Sequence, residues 1–355
     1  MPAQKHISEL LSVPGFHASF EFFPPKSPTP DALYATAQTL GAYGPDFCSV
    51  TWGAGGSTAR NTLDIVSQIS QRLNVTAVPH FTGLGMMPET VNGYLAEMKA
   101  LGIRNVLVLR GDIPHGMKAG DAFPGGFRYA TEMVRHIRRQ PGCSESDLGI
   151  LVAGCPEGHP EAESFEKDMD YLAEKVRAGA QQIVTQFFFD NSKFYQFVDA
   201  LQKRKVHVPV SVGLMIITRS AMIQKMLSLS SNTVVPDSIR AAIDRYADDD
   251  KSMEAFGVDY AVRQIRDLRA HGIQNVHFYT LNRAEPTAAV LSALDLLGKP
   301  TAAATGAKTA YIPYREYCAF PDASLGDLFR HYGIDPNRPH SVVYNHTLRR
   351  YEVSQ

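Results

Sequence analysis

"ASFEFFPPKS" (residues 18–27) is a short apolar run carrying one carboxylate and closed by two prolines. Side chains alternate along a strand, so Phe20 and Phe22 share one face and Glu21 takes the other. Pro24 and Pro25 donate no ladder hydrogen bond and end the strand. The residues beyond the prolines decide between two architectures. A doubly wound dinucleotide-binding sheet would open its first helix with G-x-G-x-x-G, and none is present there. The same kind of run recurs as "FCSVTW" (47–52), "VTAVPHFT" (75–82), "NVLVLRGD" (105–112), "GILVAGCP" (149–156), "QQIVTQFFF" (181–189), "VPVSVGLM" (208–215) and "NVHFYTLN" (275–282). Helix-like stretches at 31–43, 58–73, 88–101, 126–140, 164–178, 191–204 and 252–271 alternate with them. Eight strand–helix units predict an α/β fold, a (β/α)8 TIM barrel.

The helix over 88–101 shows the cues expected of one: Pro88 in its first turn, Leu95, Met98 and Leu101 on one face, and Gly102 after its end. Residues 216–251 are irregular, with "SLSSN" and "DDDKS", and predict short helices before the last long one. "KPTAAATGAKTA", from Lys299, reads as a linker. The expected organisation is a catalytic barrel over 1–298 and a linker with a tyrosine-rich C-terminal extension over 299–355.

Composition narrows the function class. The chain has 355 residues, 44% of them hydrophobic, enough for a sizeable core. The formal net charge is −1, from 35 basic and 36 acidic side chains, so no global charge calls for nucleic acid or an anionic membrane. Cys48, Cys143, Cys155 and Cys318 form neither a C-x-x-C pair nor zinc-ligand spacing with histidine. The N-terminus lacks the apolar core of a signal peptide, and no window reaches the roughly 18 apolar residues of a membrane span. A cytoplasmic protein in a reducing compartment is expected.

A barrel places its chemistry at the C-terminal ends of its strands. The polar residues there are Glu21, Thr51, His80, Arg110 with Asp112, Glu157 with His159, Gln186, and Tyr279 with Asn282 and Arg283. Seven of the eight strands supply one; the seventh, ending "GLMIITRS", offers only Thr218, Arg219 and Ser220 beyond its end. Each has a plainer reading. Glu21 could pair with an arginine for stability, His80 could be a hydrogen-bonded structural histidine, Arg110 and Asp112 a local ion pair, and Gln186 the partner of a backbone group. No metal-ligand spacing and no G-x-S-x-G elbow occurs, so neither hydrolytic metal chemistry nor a serine nucleophile is supported.

"SFEFFPPK", "SVTWGAGG", "PHFT", "LRGD", "GHPEA", "DYLAEKVRAGAQQIVTQFFFD" and "HFYTLNR", in this order over residues 19–298, resemble the methylenetetrahydrofolate reductase family. The resemblance implies a flavin-containing (β/α)8 barrel. It implies reduction of 5,10-methylenetetrahydrofolate to 5-methyltetrahydrofolate, with NADH or NADPH as electron donor, bound FAD as carrier and a ping-pong cycle. By the same resemblance Glu21 is the general acid. Asp112 lies beside flavin and pterin, and Gln186, Tyr279 and Arg283 contact substrate. Thr51, Trp52, His80, Arg110, Gly111, Asp112, Tyr129, Ala130, His159, Ala162, Asp168 and Lys175 line the FAD, Arg110 and Lys175 toward its phosphates and Asp168 toward a ribose hydroxyl. No metal is implied; a homo-oligomer is.

The chain departs from the family pattern in places. Cys155 stands where tyrosine is common, Ala173 where a basic residue is common, and Trp52 where tyrosine is usual. Ile216 and Ser220 replace a seventh-strand proline and a stacking aromatic residue. "GGFRYATEMVRHI" is closer to eukaryotic members, which usually add a regulatory domain that binds S-adenosylmethionine; with only residues 299–355 after the barrel, no such inhibition is expected. Two other readings remain: a proline-dehydrogenase-like FAD barrel, and a non-catalytic barrel that binds folate or flavin.

Overall fold

The computed structural model describes residues 4–12, 15–25, 30–52, 59–111, 125–229, 232–294, 309–313, 341–345 and 350–354. Eight parallel strands close a barrel in chain order: β1 (His17–Phe22), β2 (Phe47–Val50), β3 (Thr76–Thr82), β4 (Asn105–Leu109), β5 (Gly149–Gly154), β6 (Gln182–Thr185), β7 (Val210–Leu214) and β8 (Asn275–Tyr279). β8 pairs back onto β1, with Tyr279 beside Glu21. The helices α2 (Asp31–Gly41), α3 (Ala59–Leu73), α4 (Pro88–Ala100), α5 (Ala130–Arg138), α6 (Phe165–Arg177) and α7 (Asn191–Lys203) each follow one strand. Between β7 and β8 lie α8 (Ser220–Leu229), α9 (Asp237–Arg245) and the long α10 (Asp250–Ala270); α11 (Glu285–Ala293) follows β8. The expected (β/α)8 barrel is therefore the fold, and the irregular stretch does hold short helices.

Most strands are shorter than the runs read from sequence, β6 most of all. β6 stops at Thr185, so Phe187, Phe188 and Phe189 lie beyond it. Phe188 stacks on Phe194 of α7, whereas Phe187 and Phe189 join Ile217, Ile223, Met226 and Ile239 in a separate cluster. β4 stops at Leu109, with the Arg110 carbonyl still accepting the Leu84 N–H at 2.8 Å beyond it.

Alternation sorts β1 as expected. Phe20 and Phe22 are fully buried in the core shared with Leu33, Ala37 and Leu40 of α2, and Glu21 points into the lumen. The N-terminal end of the barrel is plugged by α1 (Ile7–Leu10), whose Ile7 and Leu10, with Leu11, pack on Phe47, Val78, Leu107, Leu151 and Val184. Asn105, at the start of β4, accepts the Ile7 N–H at 2.8 Å and donates to the Lys5 carbonyl at 2.8 Å, tying the plug down. Gly257 of α10 sits where any Cβ would collide with the Ile217 carbonyl, so this helix packs directly on the loop after β7.

Past the barrel, β9 (Thr309–Pro313), β10 (Ser341–Asn345) and β11 (Arg350–Ser354) form an antiparallel sheet in the order β10-β11-β9. "SVVYN" and "RYEVS" supply the β-branched and aromatic residues strands favour, a signal that the extension's shortage of aliphatic core obscured.

Candidate active site at the strand ends

One cavity of about 1470 Å³ opens at the C-terminal ends of the barrel strands. Of the site residues named from sequence, Glu21, Thr51, Trp52, His80, Arg110, Gly111, Tyr129, Ala130, His159, Ala162, Asp168, Lys175, Gln186, Tyr279 and Arg283 all line it. Asp112 lies outside the described residues.

Glu21 is 5% exposed and held from several sides. Its Oε2 lies 3.3 Å from His80 Nε2 and 3.7 Å from His277 Nε2. His277 is buried on β8; its Nδ1 is 2.7 Å from Ser19 Oγ, and its Nε2 is 3.4 Å from Ser49 Oγ. Burial lowers the His80 pKa to about 4 against the pull of Glu21, so this imidazole is neutral near pH 7. Its Nε2 makes no well-aligned hydrogen bond, and the buried Trp52 Nε1 has no partner either. Both are buried polar atoms of residues that line the cavity, and His80 Nε2 has the Glu21 carboxylate as its nearest partner.

The backbone around Glu21 is clamped by the segment after β8. Thr280 Oγ1 donates to the Glu21 carbonyl at 2.6 Å. Asn282 Oδ1 accepts the Phe23 N–H at 2.9 Å, and its Nδ2 donates to the Phe23 carbonyl at 2.8 Å, so one side chain replaces a strand neighbour. Leu281 and Asn282 both adopt positive φ, 51° and 57°, which turns the Asn282 amide back onto β1. Asn282 is thus a clamp for the strand end. The lone pattern "TLNR" carries no sign of that, because the partner is 259 residues away.

On the far side of the cavity, Arg110 makes a bidentate ion pair with Glu161, at 2.6 and 2.7 Å. The pairing of Arg110 with Asp112 expected from sequence lies outside the described residues; the contact described takes Arg110 across to Glu161 in the loop after β5. The guanidinium lowers the Glu161 pKa. Gly111, at φ 87°, has a conformation closed to most side chains, and its Cα approaches Thr82 closely enough that a Cβ would lie 2.8 Å from the Thr82 Cβ. His159 N–H donates to Asp168 Oδ2 at 2.9 Å, and Ser164 caps α6 by accepting the Lys167 N–H at 3.2 Å. Lys175 is half-buried, donates to the Ala153 carbonyl at 2.7 Å, and has its pKa lowered by desolvation. Burial also raises the Cys155 thiol to about 12, so it is neutral.

Some named residues are already engaged. Tyr279 donates its hydroxyl to the Thr185 carbonyl at 2.7 Å and offers the cavity only its ring. Gln186 Oε1 accepts the N–H of Phe187 at 3.0 Å. Arg283 pairs with Glu254 at 2.9 Å. Trp52 packs edge-on to Tyr94 and tilted on Phe81, within the core as well as at the cavity wall. Glu157 accepts the Val234 N–H at 2.9 Å.

The seventh-strand departure has a structural answer. Ile216 is buried in the main core, and Ser220 is buried with Oγ 3.4 Å from the Tyr246 carbonyl. Neither reaches the cavity; Met215, Thr218, Arg219, Met222 and Met226 do. Thr218 Oγ1 lies 3.6 Å from Met222 Sδ. These methionines were not singled out from sequence: Met215 closes an apolar run, and Met222 and Met226 lie in the stretch read only as irregular. Sequence reasoning also missed Glu161, His277, Tyr171 and Glu174, whose placement depends on other strands and helices.

Among the described residues no group of three or more His, Cys, Asp or Glu side chains could hold a metal ion, and no helix is long and apolar enough to cross a membrane.

Comparison with known proteins places this arrangement. The chain is similar to the Arabidopsis thaliana methylenetetrahydrofolate reductase (NADH) 1, 38% identical over 289 residues, which are 79% of this chain and 48% of the plant protein. It is similar to the 5,10-methylenetetrahydrofolate reductase of Escherichia coli (strain K12), 31% identical over 281 residues, 79% of this chain and 91% of that one. The chain thus spans about half the length of the plant relatives it matches. Among solved structures, an uncharacterised protein from Clostridium thermocellum, which binds two copies of 5-methyl-5,6,7,8-tetrahydrofolic acid, aligns with a TM-score of 0.56 at 11% identity. The alignment covers 81% of this chain and 97% of that one, a likeness of fold. The methylenetetrahydrofolate reductase family profile matches residues 6–295, so the whole barrel and its rim belong to that family.

Proposed function

We propose that the protein reduces 5,10-methylenetetrahydrofolate to 5-methyltetrahydrofolate with NADH or NADPH through bound FAD, with Glu21 as general acid. The observation that carries this reading is Glu21 itself, a buried carboxyl between His80 and His277 at the rim of the large cavity. At about 1470 Å³ the cavity exceeds the roughly 300–1,000 Å³ of a site for one drug-sized ligand. It has room for a flavin and a second ring system together.

The residues fit a flavin dinucleotide. Arg110, Lys175 and the α6 loop with His159 and Asp168 form a polar wall suited to phosphates and ribose hydroxyls. When bound, FAD would supply the relay of reducing equivalents from nicotinamide to folate.

The chain's own part is proton transfer and orientation. The folate's five-membered ring opens when N10 is protonated, leaving N5 as an iminium that can accept hydride at its carbon. Glu21 donates that proton and is left as a carboxylate. His277, held by Ser19, and the neutral His80 stand beside it to reorganise around the new charge. Thr280 and Asn282 fix the Glu21 backbone, so the donor stays aimed at the cavity. Tyr279 and Gln186 border the substrate side.

The test starts with a spectrum. The purified protein is expected to show the absorbance bands of an oxidised flavin, or to gain them on binding added FAD. It should then turn over methylenetetrahydrofolate with NADH or NADPH. A protein that stays colourless with added FAD overturns the mechanism. A flavoprotein that ignores methylenetetrahydrofolate points to another substrate for the same barrel.

A further inference from the structure

The lumen beneath Glu21 has two kinds of wall. On one side Leu107, Leu151 and Val184 close it with apolar side chains against the N-terminal plug. On the other, β8, β1 and β2 contribute His277, Ser19 and Ser49, all buried. Ser19 lies beside His277 in the β1–β8 register, and Ser49 beside Glu21 in the β1–β2 register. Three polar side chains in a layer shut off from solvent cost free energy unless they serve one another or the carboxyl beside them.

Their geometry favours one arrangement of protons. Ser19 Oγ is 2.7 Å from His277 Nδ1 and 3.5 Å from the Val276 carbonyl, so its hydroxyl donates to the ring nitrogen. The ring proton then lies on Nε2. That nitrogen is 3.4 Å from Ser49 Oγ and 3.7 Å from Glu21 Oε2. Both distances are long, so the N–H is shared between a neutral hydroxyl and a carboxyl. The ring stacks on Phe47 at an interplanar angle of 17° and meets Tyr279 edge-on at 84°. Its plane is thus held with the N–H in reach of both acceptors. The titratable groups facing Glu21 are His80 from β3 and His277 and Tyr279 from β8; Ser49 of β2 does not titrate. A negative charge on Glu21 would draw the His277 N–H away from Ser49, because a charged acceptor makes the stronger bond in a buried layer.

We propose that His277 is a positioning residue for the proton donor: with Ser19 fixing its tautomer, it keeps an N–H on Ser49 and turns it to the Glu21 carboxylate as the proton leaves for the substrate. No proton changes owner on His277 in this step; its N–H only changes acceptor. The inference rests on the reading of Glu21 as general acid, and deepens it by assigning the group that meets the new charge.

The test is the pH profile of folate reduction by the reduced flavin, followed by stopped-flow absorbance on the full chain. A proton donor acts while protonated, so the rate falls as the pH rises through a midpoint. His277→Phe removes the N–H and should move that midpoint up by about one unit. Ser19→Ala frees the other tautomer and should move it up by less. Ser49→Ala removes the competing acceptor, commits the N–H to Glu21 and should move the midpoint down. Flavin reduction by NADH on the same variants is the reference, because this reading gives Glu21 no proton to transfer there. Where His277→Phe does not fold, the two serine variants decide the matter. Midpoints unmoved in both, or moved in the same direction, overturn the proposal and leave His277 a structural filler of the lumen. So do equal shifts in the two half-reactions. Folate reduction that persists in Glu21→Gln overturns the general-acid reading itself, and this inference with it.

Discussion

The strand ends of β1 and β7 face the same cavity and are built on opposite principles. Around β1 every feature fixes position. Glu21 sits between two histidines, Thr280 holds its carbonyl, and Asn282 grips Phe23 with both ends of its amide. Beyond β7 the wall is soft: Met215, Met222 and Met226 are unbranched, polarisable side chains that repack readily. Proton transfer depends on distances held to a fraction of an ångström, whereas contact with a flat ring depends on area. A site that moves a proton at one wall and accommodates two different ring systems at another would be divided in this way.

The comparison can be broken at several points. Glu21→Gln keeps the shape and removes the proton; folate turnover is expected to fall roughly 10²–10⁴-fold. Reduction of the flavin by NADH or NADPH, followed by stopped-flow absorbance, should persist. Loss of both half-reactions together would mean that Glu21 holds the cofactor site rather than the acid role.

His80 gives a pH signature. Its folded pKa, about 4, is below its ordinary 6.5, so between those values the unfolded chain binds more protons. Stability therefore rises with pH across that window and is lost as the pH falls through it, by up to about 3 kcal/mol. His80→Gln should flatten the acid limb of the unfolding free energy, read by urea titration from pH 4 to 7.

Asn282→Ala removes two hydrogen bonds from the end of β1, which should cost about 1–2 kcal/mol and lower kcat more than it raises KM. Asn282→Gly keeps the positive φ but not the clamp, so recovery of kcat in the glycine variant would show that the backbone turn, not the amide, is what matters. Met222→Leu probes the soft wall and should cost less than about 1.5 kcal/mol, with kcat within a few-fold of the original. A large kcat loss there would show that the two walls are equally exacting.

Much of the site was legible because it lies at the ends of strands, where a polar residue after an apolar run stands out. Glu21, His80, Arg110 and Gln186 were visible for that reason, and all four line the cavity. His277 was not, since it lies within an apolar strand and gains its place only from β1 on its flank. Glu161 was not singled out, and its place depends on the Arg110 side chain that meets it 51 residues away in sequence. The methionines after β7 were not singled out, because an apolar side chain read in sequence does not show which void it borders. Trp52 illustrates both: sequence placed it beside the cavity, and packing on Phe81 and Tyr94 also makes it core.

By itself the sequence determined the eight strand–helix units, the side of β1 on which Glu21 points, and the rim at which polar residues gather. Those follow from alternation, helix periodicity and chain-breaking prolines, which act over a few residues. Only the tertiary structure decided the partners: Glu21 with His277, Arg110 with Glu161, Asn282 with Phe23 and Arg283 with Glu254. Each joins segments that barrel closure or loop packing brings together, so their distances depend on the whole ring of strands.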